Sequence, residues 1–142
     1  MKIAVRYYTK NGHTKKLAAA VADVANVQEK DIWEPLEEYT DILFLGSSVY
    51  VAGVNKSVRE FIANNKDKIG TIYSFGSAAI LESTYKYVQK VCEEQGVKLA
   101  AEEFHCRGEF MGRHVGHPDN VDIANVKLFA QRVLDSTNWV KI

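Results

Sequence analysis

Apolar and polar positions along this chain switch repeatedly between a strand-like and a helical period. Ile3-Ala4-Val5 lies in an apolar run that predicts a buried strand over residues 2–7. From residue 14 to 26 the apolar positions Leu17, Ala18, Val21, Ala22 and Ala25 fall at helical spacing, with Lys15, Lys16 and Asp23 turned outward. Residues 27–39 hold Pro35 and several acids, and predict a connector with a short edge strand around 31–33. Ile42-Leu43-Phe44-Leu45 is a continuous apolar run, as in a parallel strand covered on both faces. A loop over 46–55 and a helix over 56–65 follow, with Val58, Phe61 and Ile62 on one helix face. Residues 70–75 predict the next strand, ending in the small-residue loop 76–79. A helix over 82–95 turns Tyr85, Val88, Val91 and Cys92 inward, and Gly96 suits its C-terminal turn. A strand over 97–106, a glycine-rich loop over 107–120 and a helix over 121–135 complete the chain. Ile123, Val126, Ala130 and Val133 form the inner face of that last helix.

Strands alternating with helices predict an α/β fold, a mostly parallel sheet with helices on both faces and right-handed crossovers. In such sheets ligands sit beyond the carboxyl ends of the strands. The loops over 9–14, 46–53, 76–79 and 107–118 all leave that edge. No repeat or linker interrupts the pattern, so residues 1–142 are read as one domain.

Composition narrows the function. The formal net charge is zero and the isoelectric point about 6.9, which offers no electrostatic case for a nucleic-acid partner. No apolar run approaches the roughly 20 residues that span a bilayer. Charged residues follow the first strand too soon for a signal peptide, so a cytoplasmic protein without membrane insertion is expected, monomeric by default. Cys92 and Cys106 form no disulfide framework.

The chemistry concentrates in Tyr8-Thr9-Lys10-Asn11-Gly12-His13-Thr14. A strand, a short loop and a helix start make an anion site, because the first helical N–H groups lack partners and carry partial positive charge. Thr9, Asn11 and Thr14 add side-chain donors, Lys10 adds a cation, and His13 adds another when protonated. Gly12 allows close approach of backbone to a phosphate. The same residues also suit an ordinary strand-to-helix turn with Thr14 as its N-cap.

Taken together, the loops resemble those of short-chain flavodoxins and flavodoxin-like FMN-binding domains, in order and over nearly the whole chain. Thr9-Lys10-Asn11-Gly12-His13-Thr14 resembles the family's phosphate loop, with Gly12 and Thr14 in register and Lys10-Asn11 departing from its hydroxyl pattern. Gly46-Ser47-Ser48-Val49-Tyr50 and Gly53 resemble the loop along the flavin ring. Gly76-Ser77-Ala78 resembles the loop after the fourth strand. The resemblance implies a doubly wound, five-stranded parallel sheet of order 2-1-3-4-5 with FMN at the switch point. It implies one-electron transfer between redox partner proteins, with no catalytic acid or base. Ser47 and Ser48, and the backbone of Ser77 and Ala78, are then candidates for the pyrimidine edge of the ring, and Tyr50 for stacking on one face.

Other readings compete. A small FMN-dependent reductase or oxidase acting on a quinone or porphyrinogen would use the 107–118 loop, with Arg107 and Arg113, as a substrate wall. His105, Cys106, His114 and His117 match no zinc spacing, so no metal is expected. A receiver module would need acids where Tyr7-Tyr8 and Gly46-Ser47 stand.

Overall fold

A computed structural model describes residues 1–9, 12–49, 55–78, 85–107 and 116–137. In chain order the elements are β1 (Ile3–Tyr7), α1 (His13–Ala25), β2 (Glu29–Asp31), β3 (Thr40–Val49), α2 (Lys56–Asn65), a 3-10 turn (Lys66–Lys68), β4 (Ile69–Ala78), α3 (Tyr85–Gln95), β5 (Lys98–Arg107) and α4 (Asn120–Ser136). The strands form one parallel sheet ordered β2-β1-β3-β4-β5, the order that the resemblance implied.

Alternation along β3 explains the two layers. Ile42 and Phe44 face one side, where they join Val5, Leu17, Val21, Phe75 and Phe129 beneath α1 and α4. Leu43 and Leu45 face the other, with Val58, Ile62, Ile72 and Val88 beneath α2 and α3. Phe44 meets Phe129 edge-on, with ring centroids 6.1 Å apart, which locks α4 over the central strand. The inward residues expected on α1 and α2 are all buried. On α4, Phe129 and Leu134 join the expected face, and Ile123 is only partly covered. Cys92 is a core residue, and burial pushes its thiol up to about 11.

Three boundaries differ from the sequence reading. β3 and β4 run on through residues assigned to loops: Ser47 pairs with Gly76, Ser48 with Ser77 and Val49 with Ala78. Small polar residues stay in strand there because the backbone ladder is complete and their hydroxyls find partners inside. β2 lies at Glu29–Asp31 rather than 31–33, and pairs with residues 5–7 of β1. Trp33 does not cover the sheet edge; it is 68% exposed.

The connector after β2 is held by Arg6, a buried cation on β1. Its guanidinium donates to the carbonyls of Glu34 (2.9 Å), Val5 (3.2 Å) and Pro35 (3.3 Å). Burial pushes its pKa down, opposed by Glu34, Glu37 and Asp31. From the other side, Leu36 N–H donates to Asn65 Oδ1 (3.0 Å) and Lys68 Nζ to Leu36 O (3.1 Å). Nothing in the hydrophobic pattern signals this arrangement, since all of these acceptors but one are backbone carbonyls. Among the described residues no helix is long and apolar enough to cross a membrane.

Candidate functional site

The carboxyl ends of β1, β3 and β4 are brought side by side by the parallel pairing, and the start of α1 lies over them. The turn into α1 is closed locally. Gly12 N–H donates to Thr9 Oγ1 at 2.9 Å, and Gly12 takes φ 83°, a conformation other residues adopt at a cost. Gly12, not Thr14, is the N-cap of α1, and a glycine has no side chain to cap the helix. The first amides of a helix have no partner within it.

Thr14 sits one turn-position further in and is fully buried. Its hydroxyl contacts the hydroxyls of Ser48 on β3 and Ser77 on β4, the latter at 3.2 Å. Three hydroxyls from three elements thus converge at the start of a helix. All three side chains are buried. None of Thr9, Gly12, Thr14, Ser48 and Ser77 carries a negative charge, and the four hydroxyls can each donate one hydrogen bond.

Two glycines make this convergence possible. A Cβ on Gly46 would lie 2.6 Å from the Phe75 ring and 3.0 Å from the Thr14 methyl, so Gly46 admits Thr14 to its place. A Cβ on Gly76 would overlap the carbonyl oxygen of Ser47, so Gly76 sets the close approach of β3 and β4. Both were singled out as ligand-loop residues, and both have a packing role within strands. Ser47 alternates away from Thr14, toward the α2–α3 face, and is buried there. Val49 and Ala78 end their strands as a backbone pair at the same edge. His13 opens α1 and is half-buried. Lys10, Asn11, Tyr50 and Gly53 lie outside the described residues.

The histidines and cysteines that cluster in sequence are not gathered in space among the described residues. His105 Nδ1 lies 3.1 Å from Glu103 Oε1. Cys106 packs against the α1–α4 core, and burial, with Asp122 and Asp119 adding to it, pushes its thiol up to about 12. His117 joins the capping box of α4. Asp119 Oδ1 accepts from Asp122 N–H, Asp122 Oδ2 accepts from Asp119 N–H, and His117 Nδ1 lies 2.9 Å from that same oxygen. These three residues could jointly face a cation, but their polar atoms already serve the cap. His114 lies outside the described residues.

The hydrogen bond to Asp122, with the charge of Asp119, raises the His117 pKa above its ordinary 6.5. A raised histidine pKa contributes stability that is fully present below the unfolded value and is lost as pH rises through the folded value. An NMR titration should therefore find His117 protonating above pH 6.5, and Asp122→Asn should move it back toward that value. An unshifted midpoint would remove the ion pair from the cap.

Sequence reasoning missed Asn55, which caps α2, although an asparagine just before a helical pattern is a recognised start signal.

The model of the flavodoxin domain family matches residues 4–126. Among curated proteins, none has a sequence that matches this chain. Among solved structures, a flavodoxin from the domain Archaea superposes with a TM-score of 0.72 at 16% identity, over 97% of this chain and 99% of that one. The rubredoxin oxygen:oxidoreductase of Desulfovibrio gigas gives 0.71 at 16% identity; it covers 98% of this chain, which spans only 37% of the larger enzyme. A flavoprotein from Lactobacillus acidophilus, in complex with FMN, gives 0.59 at 17% identity over 73% of this chain and 91% of that one. At these identities the structural likeness speaks for the fold.

Proposed function

This chain belongs to the flavodoxin domain family, and from that premise we propose that it binds FMN and carries single electrons between redox partner proteins. The observation that carries the proposal is the meeting of the Thr14, Ser48 and Ser77 hydroxyls at the start of α1, whose N-cap is Gly12. A phosphate monoester is the group this donor set suits. Helix amides and hydroxyls can bond its oxygens, and none of Thr9, Gly12, Thr14, Ser48 and Ser77 is acidic. Thr9 stands beside it, with its oxygen occupied by Gly12 N–H and its own proton free to be donated.

In this reading Ser48 and Ser77 belong with the phosphate loop through their side chains, rather than with the pyrimidine edge. The ring is assigned to the ends of β3 and β4, where Val49 and Ala78 pair and where Tyr50 and Gly53 follow in sequence. Ser47 and Gly76 act on the site through the backbone they hold together. FMN, once bound, supplies the redox chemistry; the chain supplies position, a dry wall and hydrogen bonds. No side chain is asked to act as acid, base or nucleophile.

Reductive titration of the protein loaded with FMN tests the carrier role. A carrier should accumulate one-electron-reduced flavin at mid-titration. Direct two-electron reduction, together with rapid turnover of a quinone or porphyrinogen without a partner protein, would assign the chain to the enzymes instead.

A further inference from the structure

We infer that the groove between the β2–β3 connector and α2, walled by Trp33, docks an arginine-bearing segment of a basic partner protein. The groove opens on the α2 side of the sheet, whereas Thr14 packs on the α1 side, and its occupant does not depend on the FMN reading.

Trp33 is exposed although the backbone around it is held from several directions. Ile32 N–H donates to Tyr7 O (2.9 Å), which extends the β1–β2 ladder. Trp33 N–H donates to Asp31 Oδ1 (2.9 Å) and Glu34 N–H to Asp31 O (3.2 Å). From beneath, Arg6 holds the carbonyls of Glu34 and Pro35. The indole is thus presented on a braced turn, which lowers the ordering cost of binding a partner. With Ile32, Pro35 and Phe61 it lines a cavity of about 230 Å³, to which α2 adds Glu60 and Asn64. That is below the roughly 300–1,000 Å³ of small-molecule pockets and suits a single inserted side chain.

Charge selects the occupant. Residues 29–41 hold six acids against one base, Lys30, in a chain of zero net charge. Lys2 pairs with Glu38 at 2.7 Å, and Arg6 is buried. Glu34 and Glu37 are exposed, and among the described residues their side chains make no hydrogen bond or ion pair. Glu60 has Lys56 at 3.7 Å, a pair exposed on both sides and worth little. An apolar groove with an acidic rim suits a side chain with an apolar stem and a cationic head. Arginine fits better than lysine, because its planar guanidinium stacks on an indole face while its edge donates to carboxylates. A symmetric dimer through this face would set the same acids against each other, so the partner is a different protein.

NMR titration of the protein as purified, with capped triarginine and capped trilysine peptides, tests this. Triarginine should shift the Trp33 indole together with the amides of Glu34, Glu60 and Asn64. It should bind about twofold to fivefold more tightly than trilysine, the worth of an exposed cation–π contact. Trp33→Ala and Trp33→Leu should each abolish that preference, and both should stay folded because the side chain is exposed. Glu34→Gln combined with Glu60→Gln should weaken both peptides. Equal affinity for the two peptides, a preference that survives loss of the indole, or shifts that bypass the groove would each overturn the inference. Concentration-dependent shifts of the same resonances without peptide would give the groove to a second copy of this chain, and would overturn it too.

Discussion

Gly76→Ala should cost the fold more than any comparably small change at this sheet edge, above about 3 kcal/mol, the upper range for overpacking. The added methyl would overlap the carbonyl oxygen of Ser47, which is backbone and cannot rotate away. Relief requires β3 and β4 to separate where Ser47 pairs with Gly76 and Ser48 with Ser77. That separation would also pull Ser48 and Ser77 from Thr14. Gly46→Ala meets side chains instead, the Phe75 ring and the Thr14 methyl, and should cost less because those can shift. Gly12→Ala meets no atom but must hold φ 83°, which costs on the order of 1–2 kcal/mol for a non-glycine residue. Urea denaturation should rank the three as Gly76, then Gly46 and Gly12. An unchanged midpoint for Gly76→Ala would mean that β3 and β4 do not approach as closely as described.

Thr14→Val should separate the phosphate from the rest of the ligand. Valine keeps the shape and removes the hydroxyl at the meeting point of three elements. If that hydroxyl bonds a phosphate oxygen, the loss is that of a hydrogen bond to a charged group, about 1.5–3 kcal/mol, or roughly 10-fold to 150-fold in FMN affinity. Riboflavin lacks the phosphate, so its affinity should fall far less. The free protein should also lose stability, because the buried Ser48 and Ser77 hydroxyls are left without Thr14. Thr14→Ser restores the oxygen and should restore most of the FMN affinity. Titrations of both flavins against the three proteins check this. Equal losses for FMN and riboflavin in Thr14→Val would move Thr14 from the phosphate to general support of the fold.

The fold was legible because burial on two faces leaves an unmistakable trace. Leu43 and Leu45 go to one layer, Ile42 and Phe44 to the other, and the run of four needs a cover on each side. The loop around Gly12 was legible too, as a strand-to-helix turn of small and polar residues. What the residues alone did not reveal is how far the sheet extends. Gly46-Ser47-Ser48 and Gly76-Ser77-Ala78 look like loops because they lack large apolar side chains, yet they complete the ladder, and Ser48 and Ser77 turn their hydroxyls inward. Partners 34 and 63 residues away supply what Thr14 bonds, and no local window contains them. Arg6 was illegible for a related reason: its main acceptors are the backbone carbonyls of Glu34 and Pro35, which leave no mark on side-chain chemistry.

The central claim is that the hydroxyls gathered at the start of α1 hold the phosphate of FMN. Comparing the dissociation constants of FMN and riboflavin for the unmodified protein tests it most directly. The account predicts that FMN binds at least about 100-fold more tightly, a difference of roughly one or two charge-assisted hydrogen bonds. Equal affinity for the two flavins, or no flavin bound at micromolar concentration, would contradict it.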